Sequence, residues 1–166
     1  MTTHILSLTY APKIPLVKSG ECTRTIRLHN PERPKKVGDK LILHTWAGWP
    51  YRTKWNWRLE TYISELKLMR LRNTDDNSPR GWAGDAEVFD EKDKMFFSIG
   101  TCGYEELIWD DGLHSAWSPE REKCYNPGMI CAFQDLLREL NGIDKLDGTL
   151  WDIIRWPKPK GGESYE

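Results

Sequence analysis

The run Leu41-Ile42-Leu43-His44-Thr45-Trp46 constrains the fold more than any other stretch of this chain. Successive side chains of a strand point to opposite faces, so Leu41, Leu43 and Thr45 face one way and Ile42, His44 and Trp46 the other. Apolar or aromatic residues stand on both sides. A strand of this kind is expected to be covered on both faces, as in a closed barrel.

Neighbouring runs are short and β-prone. Residues 4–9 alternate and suit a strand ended by Pro12. Residues 12–18 read as a short helix with Pro12 in its first turn, Pro15 limiting its length and Gly20 as its C-terminal cap. Residues 23–28 form a second strand, and the prolines of Asn30-Pro31-Glu32-Arg33-Pro34 make the next segment a loop. Trp57, Leu59, Thr61 and Ile63 share one face of a further strand, whereas Leu66 and Leu68 have the opposite parity, which predicts a bulge or break near Ser64 and Glu65. The polar segment 72–94 predicts a surface loop holding a short strand or turn, and residues 95–100 another strand. Residues 103–113 predict a short helix with Tyr104, Leu107 and Ile108 on one side and Gly112 as its stop. Asn126 as N-cap, Pro127 in the first position, the apolar stripe Ile130, Phe133, Leu137 and Leu140, and Gly142 at the end define the clearest helix. Residues 148–156 make a final strand. Five or six strands, largely antiparallel by their loop lengths, with few short helices predict an α+β fold, a mixed β-barrel with helices plugging one end.

At 166 residues the chain has the size of one domain, expected over 1–157, with a flexible, solvated C-terminal tail at 158–166. A formal charge of -1 means that any basic surface is a local patch. Cys22, Cys102, Cys124 and Cys131 form no CxxC pair and no Cys/His grouping of the zinc type, so free buried thiols are expected and neither metal nor cofactor. The N-terminal segment lacks signal-peptide features, and no apolar run reaches membrane-spanning length, which points to a soluble cytoplasmic protein without membrane contact. Nine tryptophans are an excess that calls for either a bulky core or surfaces on which planar ligands stack.

Gly20-Glu21-Cys22-Thr23-Arg24-Thr25-Ile26-Arg27, lying between the short helix and the second strand and followed by Lys36-Val37-Gly38-Asp39, resembles the ASCH domain family, a branch of the PUA-like barrels. The family signature is G-x-K-x-x-E-x-R. Asp111-Gly112-Leu113 and the final Ile153-Ile154-Arg155-Trp156 resemble two further landmarks, and the order of all four carries the likeness over roughly residues 5–156. Cys22 stands at the family's lysine and Thr25 at its glutamate, while Gly20 and Arg27 keep the pattern.

The resemblance implies a PUA-like, ASCH-type barrel whose helix and following strand line a cleft for RNA or a nucleotide-like ligand. Gly20 would let the backbone approach, Thr23, Thr25 and Arg27 would form a polar wall, and Arg24 would point to the opposite face. Some members are amidohydrolases that deacylate a modified cytidine with a lysine, a threonine and a glutamate. Thr25 coincides with that threonine, so an amidohydrolase or ribonuclease would use Thr25 with Cys22 and an unassigned carboxylate, Glu60 and Glu65 being strand candidates. His29 and His44 can act near neutral pH, although a histidine in such a place is more often structural or on the surface. Beside this cleft, Trp46, Trp49, Tyr51, Trp55 and Trp57 interleave with Arg52, Lys54 and Arg58, a pattern suited to single-stranded nucleic acid. Trp46 and Trp57 fall in strands and are expected in the core; Trp49, Tyr51 and Trp55, with Arg52 and Lys54, form the expected binding surface. Three functions fit: RNA or modified-nucleotide binding, hydrolysis of RNA or a modified nucleoside, and a non-catalytic adaptor that sets the aromatic patch into a protein groove.

Overall fold

The computed structural model describes residues 1–50, 52–72, 85–100, 103, 106–108 and 127–158. Its elements are β1 (Thr3–Ser7), α1 (Lys13–Lys18), β2 (Arg24–Leu28), β3 (Lys40–Trp46), β4 (Trp55–Tyr62), β5 (Glu65–Arg72), β6 (Asp85–Asp90), β7 (Met95–Ser98), α2 (Pro127–Asn141) and β8 (Leu150–Arg155). The fold is α+β, mostly sheet with a few short helices. One sheet has the order β1-β3-β4 and the other β2-β8-β5-β6-β7, and among the described residues neither closes on itself. Among the described residues eight strands stand where five or six were expected, because the long run after Trp55 divides into β4 and β5 and the polar segment contains β6.

The chain groups into two compact units: Met1–Thr25 with Asn30–Leu66 and Ile154–Glu166, and Ile26–His29 with Lys67–Ile153. In the first unit, β1 runs parallel to β3 with Ile5 beside Ile42, and β4 runs antiparallel to β3 with Leu59 beside Leu43 and Arg58 beside His44. β3 is buried on both faces from Leu41 to Thr45. Its inner face joins Leu8, Val17, Cys22, Trp57, Ile63, Ile154 and Trp156 in one core, with Leu6, Ile14, Leu16, Leu59 and Leu66 packed against it. Each of the larger side chains buried there contributes about 1.5–3 kcal/mol relative to exposure. α1 tolerates Pro15 because the first-turn N–H groups of a helix have no partner in any case. It stops at Gly20, whose φ of 76° lies in the left-handed region and whose N–H donates to the Val17 carbonyl at 3.1 Å.

The parity change between Ile63 and Leu66 is a break. Ile63 N–H donates to the Asp39 carbonyl at 2.9 Å in the three-stranded sheet, and the next N–H, that of Ser64, donates to the Arg155 carbonyl at 2.9 Å. The chain therefore changes sheets at one peptide, and Leu66 takes its parity from a new partner.

In the second unit, β6 pairs antiparallel with β5 and β7. The Arg70 guanidinium reaches Glu87 from the register position directly opposite and lies 4.3 Å from the centroid of Phe96. Burial pushes the Glu87 carboxyl up, but its bonds to Arg70 and Arg72 outweigh this and hold it below the usual glutamate value. α2 buries Ile130, Phe133 and Leu137 and ends at Gly142, with φ 62°. Leu140, expected in the same stripe, lies in the last turn of α2 and is exposed instead. Residues 103 and 106–108 are helical, with Leu107 and Ile108 buried as their spacing predicts. Tyr104, the Asp111-Gly112-Leu113 turn, the Asn126 cap, Cys102, Cys124 and the tail beyond Lys158 lie outside the described residues.

Candidate functional site

The residues expected to form a polar wall on β2 take different environments. Thr23 lies just before the strand and uses its carbonyl to accept from Trp156 N–H at 3.1 Å. Thr25 is buried with 3% exposure, a position from which a hydroxyl does not reach bulk water. Arg24 is buried as well, so β2 burial follows its position in the sheet more than its parity. Arg27 is half-buried. Cys22 precedes the strand instead of lying on it, packs in the core as a free thiol, and its Sγ donates to the Arg24 carbonyl at 3.3 Å.

The second unit adds two groups to this strand. His29 N–H donates to the Leu150 carbonyl at 2.9 Å, and the Trp156-to-Thr23 bond keeps the same antiparallel register. Regular pairing from His29 and Leu150 sets Arg27 opposite Asp152. Arg27 and His29, two residues apart, share a face with Asp152, and His29 Nδ1 lies 2.7 Å from Asp152 Oδ1 on the diagonal. Asp152 is 3% exposed, inside the buried run Trp151 to Ile154. A carboxylate accepts only, so Nδ1 carries the proton of the neutral ring and Nε2 keeps its lone pair. The His29 side chain is 23% exposed. The arrangement offers a basic nitrogen, oriented by a buried carboxylate, with a guanidinium at the neighbouring register position.

A second carboxylate–imidazole pair, His4 Nε2 with Asp39 Oδ2 at 3.1 Å, lies in the first unit. Asp39 also accepts from Thr2 N–H at 2.8 Å and Lys36 N–H at 3.1 Å. The Thr2 bond, then the His4 bond, then the Lys36 bond hold its carboxyl below the usual aspartate value, against the opposing push of desolvation. Lys36-Val37-Gly38-Asp39 is thus a turn, with Gly38 at φ 89° and Asp39 N–H bonded to the Lys36 carbonyl. Asp39 ties the start of β1 to this turn. A cleft of about 650 Å³ opens beside it, lined by residues including His4, Asn30, Arg33, Lys35, Lys36 and Asp39.

The β3–β4 hairpin holds the aromatic-basic group. Trp49 is 79% exposed, and Arg52 and Lys54 are exposed beside it in sequence. Trp55, expected in the loop, is the first residue of β4 and 36% exposed. Its ring stacks on His44 with centroids 4.4 Å apart and planes 19° apart, and the Arg58 guanidinium lies 5.6 Å from its centroid. Trp57 is core, as expected, with Lys18 Nζ 5.7 Å from its ring. Trp46 is not core: it sits half-buried and edge-on to His44 at 4.9 Å, because its parity puts it on the outer face of the sheet. Tyr51 lies outside the described residues. Glu60 pairs with Arg58 and with Lys40, and Glu65 with Arg155, which gives both carboxylates ion-pair partners on partly exposed surface.

Asp152 was the functional candidate that sequence reasoning missed. Its signal was present: a lone carboxylate inside Leu150-Trp151-Asp152-Ile153-Ile154, a run otherwise fit for burial, needs a partner. Among the described residues no group of three or more His, Cys, Asp or Glu side chains is placed to hold a metal ion, and no helix is long and apolar enough to cross a membrane. No family model, no curated protein and no solved structure matches the chain.

Proposed function

We propose that the chain is an ASCH-type, PUA-like barrel of the cytoplasm that binds RNA or a modified nucleotide. The observation that carries this reading is the β3–β4 hairpin, which presents Trp49 almost fully to solvent together with Arg52 and Lys54, next to the Arg58-Trp55-His44 stack. Indole faces accept any base, at about 1–3 kcal/mol for each base stacked, and cations nearby meet phosphates. The succession α1, Gly20, β2, the 36–39 turn and β3 follows the order of elements that the likeness implies and supports it.

The test is titration of a labelled single-stranded oligoribonucleotide at low salt. Trp49→Ala is expected to weaken binding by roughly 5- to 100-fold, the equivalent of one stacked base. No binding by the unaltered protein at low salt would overturn the reading. A second reading, hydrolysis of RNA or a modified nucleoside, draws on the His29–Asp152 pair. It draws little on Cys22, whose thiol is buried and turned to a carbonyl.

A further inference from the structure

We propose that His29 is a catalytic general base for the 2′-hydroxyl of a bound ribonucleotide, with Asp152 as its positioning residue. This rests on the RNA-binding reading and adds a reaction to it. Asp152 occupies the middle of a buried strand, where an ionised carboxylate costs several kcal/mol unless it is paired and hydrogen-bonded. Packing alone would be served by an apolar residue there. The carboxylate instead fixes the His29 ring through Nδ1 at 2.7 Å, and among the described residues Nε2 meets no hydrogen-bond partner. His29 follows the last residue of β2, between exposed Leu28 and exposed Asn30, so the ring reaches solvent from a fixed backbone. A base must combine a lone pair, a fixed orientation and access; this ring has all three.

The step is an internal transesterification. Nε2 takes the proton of the 2′-hydroxyl while the 2′-oxygen forms a bond to phosphorus and the bond from phosphorus to the 5′-oxygen breaks. The leaving 5′-oxygen takes a proton from water, the resulting hydroxide recovers the proton from the imidazolium, and the products are a 2′,3′-cyclic phosphate and a 5′-hydroxyl. Asp152 stabilises the imidazolium in between. No metal or redox partner enters the balance.

The experiment incubates the full chain with a single-stranded oligoribonucleotide and with its all-deoxy counterpart, following cleavage by mass spectrometry and binding by fluorescence anisotropy. The expected result is that both oligonucleotides bind and only the ribonucleotide is cut, with cyclic phosphate ends. His29→Gln is expected to lower cleavage by about 100-fold or more. In the unaltered protein, nitrogen NMR is expected to show His29 in the form protonated at Nδ1, and Asp152→Asn to shift that tautomer balance while slowing cleavage. A protein that binds RNA and leaves it intact, cleavage that survives His29→Gln, or equal cutting of the deoxy strand would each overturn the proposal while leaving RNA binding standing. Failure to bind either strand at low salt would overturn the binding reading and this one with it. Should His29→Gln not fold, the tautomer decides: protonation at Nε2 removes the base.

Discussion

At the scale of single residues, charges are placed where backbone donors or an opposite charge offset their burial. Asp39 gathers two N–H donors and the His4 ring, and its carboxyl titrates below the ordinary value of 3.8. Folding lowers this pKa, so the unfolded chain takes up the proton more readily. The resulting stability is complete above the ordinary value and is lost as pH falls through the lowered one. Thermal melts between neutral pH and pH 3 should therefore show Asp39→Asn losing less stability on acidification than the unaltered chain; parallel losses would show that Asp39 contributes no pH dependence. Cys22 yields a second expectation. Under the proposed ASCH likeness it stands where that family has lysine; it is a thiol, buried and bonded to the Arg24 carbonyl, and supplies no amine base. Incubation with N4-acetylcytidine should leave the acyl group in place, and rapid release of cytidine would disprove this. The Asp39 turn was legible from its glycine. The His29–Asp152 pair was not, because the partners are 123 positions apart and no local pattern encodes which strands become neighbours.

At the scale of elements, turn and cap chemistry was readable because it is local. Gly20 and Gly142 adopt the left-handed φ predicted for residues just past a helix end. The division at Ser64 showed itself as a parity slip, although the sequence could not say that the slip marks a change of sheet. Trp55 and Trp57 were harder to separate. Both lie on β4, two residues apart, yet the shift in register between Thr45 and Trp46 lets Trp55 stack on the outer face while Trp57 enters the core. Trp57→Ala should therefore cost about 3–5 kcal/mol of stability in denaturant titrations, as expected for removing a buried aromatic side chain. Trp55→Ala, losing a ring that is one-third exposed, should cost well under half of that while impairing RNA binding. Equal losses would place Trp55 in the core and remove it from the binding surface.

At the scale of the whole molecule, charge limits how the protein can hold a polyanion. With 24 basic against 25 acidic side chains, the chain has no general attraction for nucleic acid. Under the proposed reading, binding comes from a local excess, and the hairpin has one: Arg52, Lys54 and Arg58 occur without an acidic residue until Glu60. Arg58 is already paired with Glu60, so two or three cations are available to phosphates. Single-stranded binding loses about 0.7 of a counterion for each phosphate neutralised. The slope of log K against log salt should then lie near -1.5 to -2, and raising salt fourfold should weaken binding roughly tenfold. Arg52→Ala with Lys54→Ala should flatten the slope by more than one unit and Trp49→Ala should leave it unchanged, because stacking releases no counterions. A slope near zero would mean that phosphates are not contacted. A slope steeper than about -4 would require more cations than the hairpin owns, and the cleft that includes Arg33, Lys35 and Lys36 would become the place to look for them.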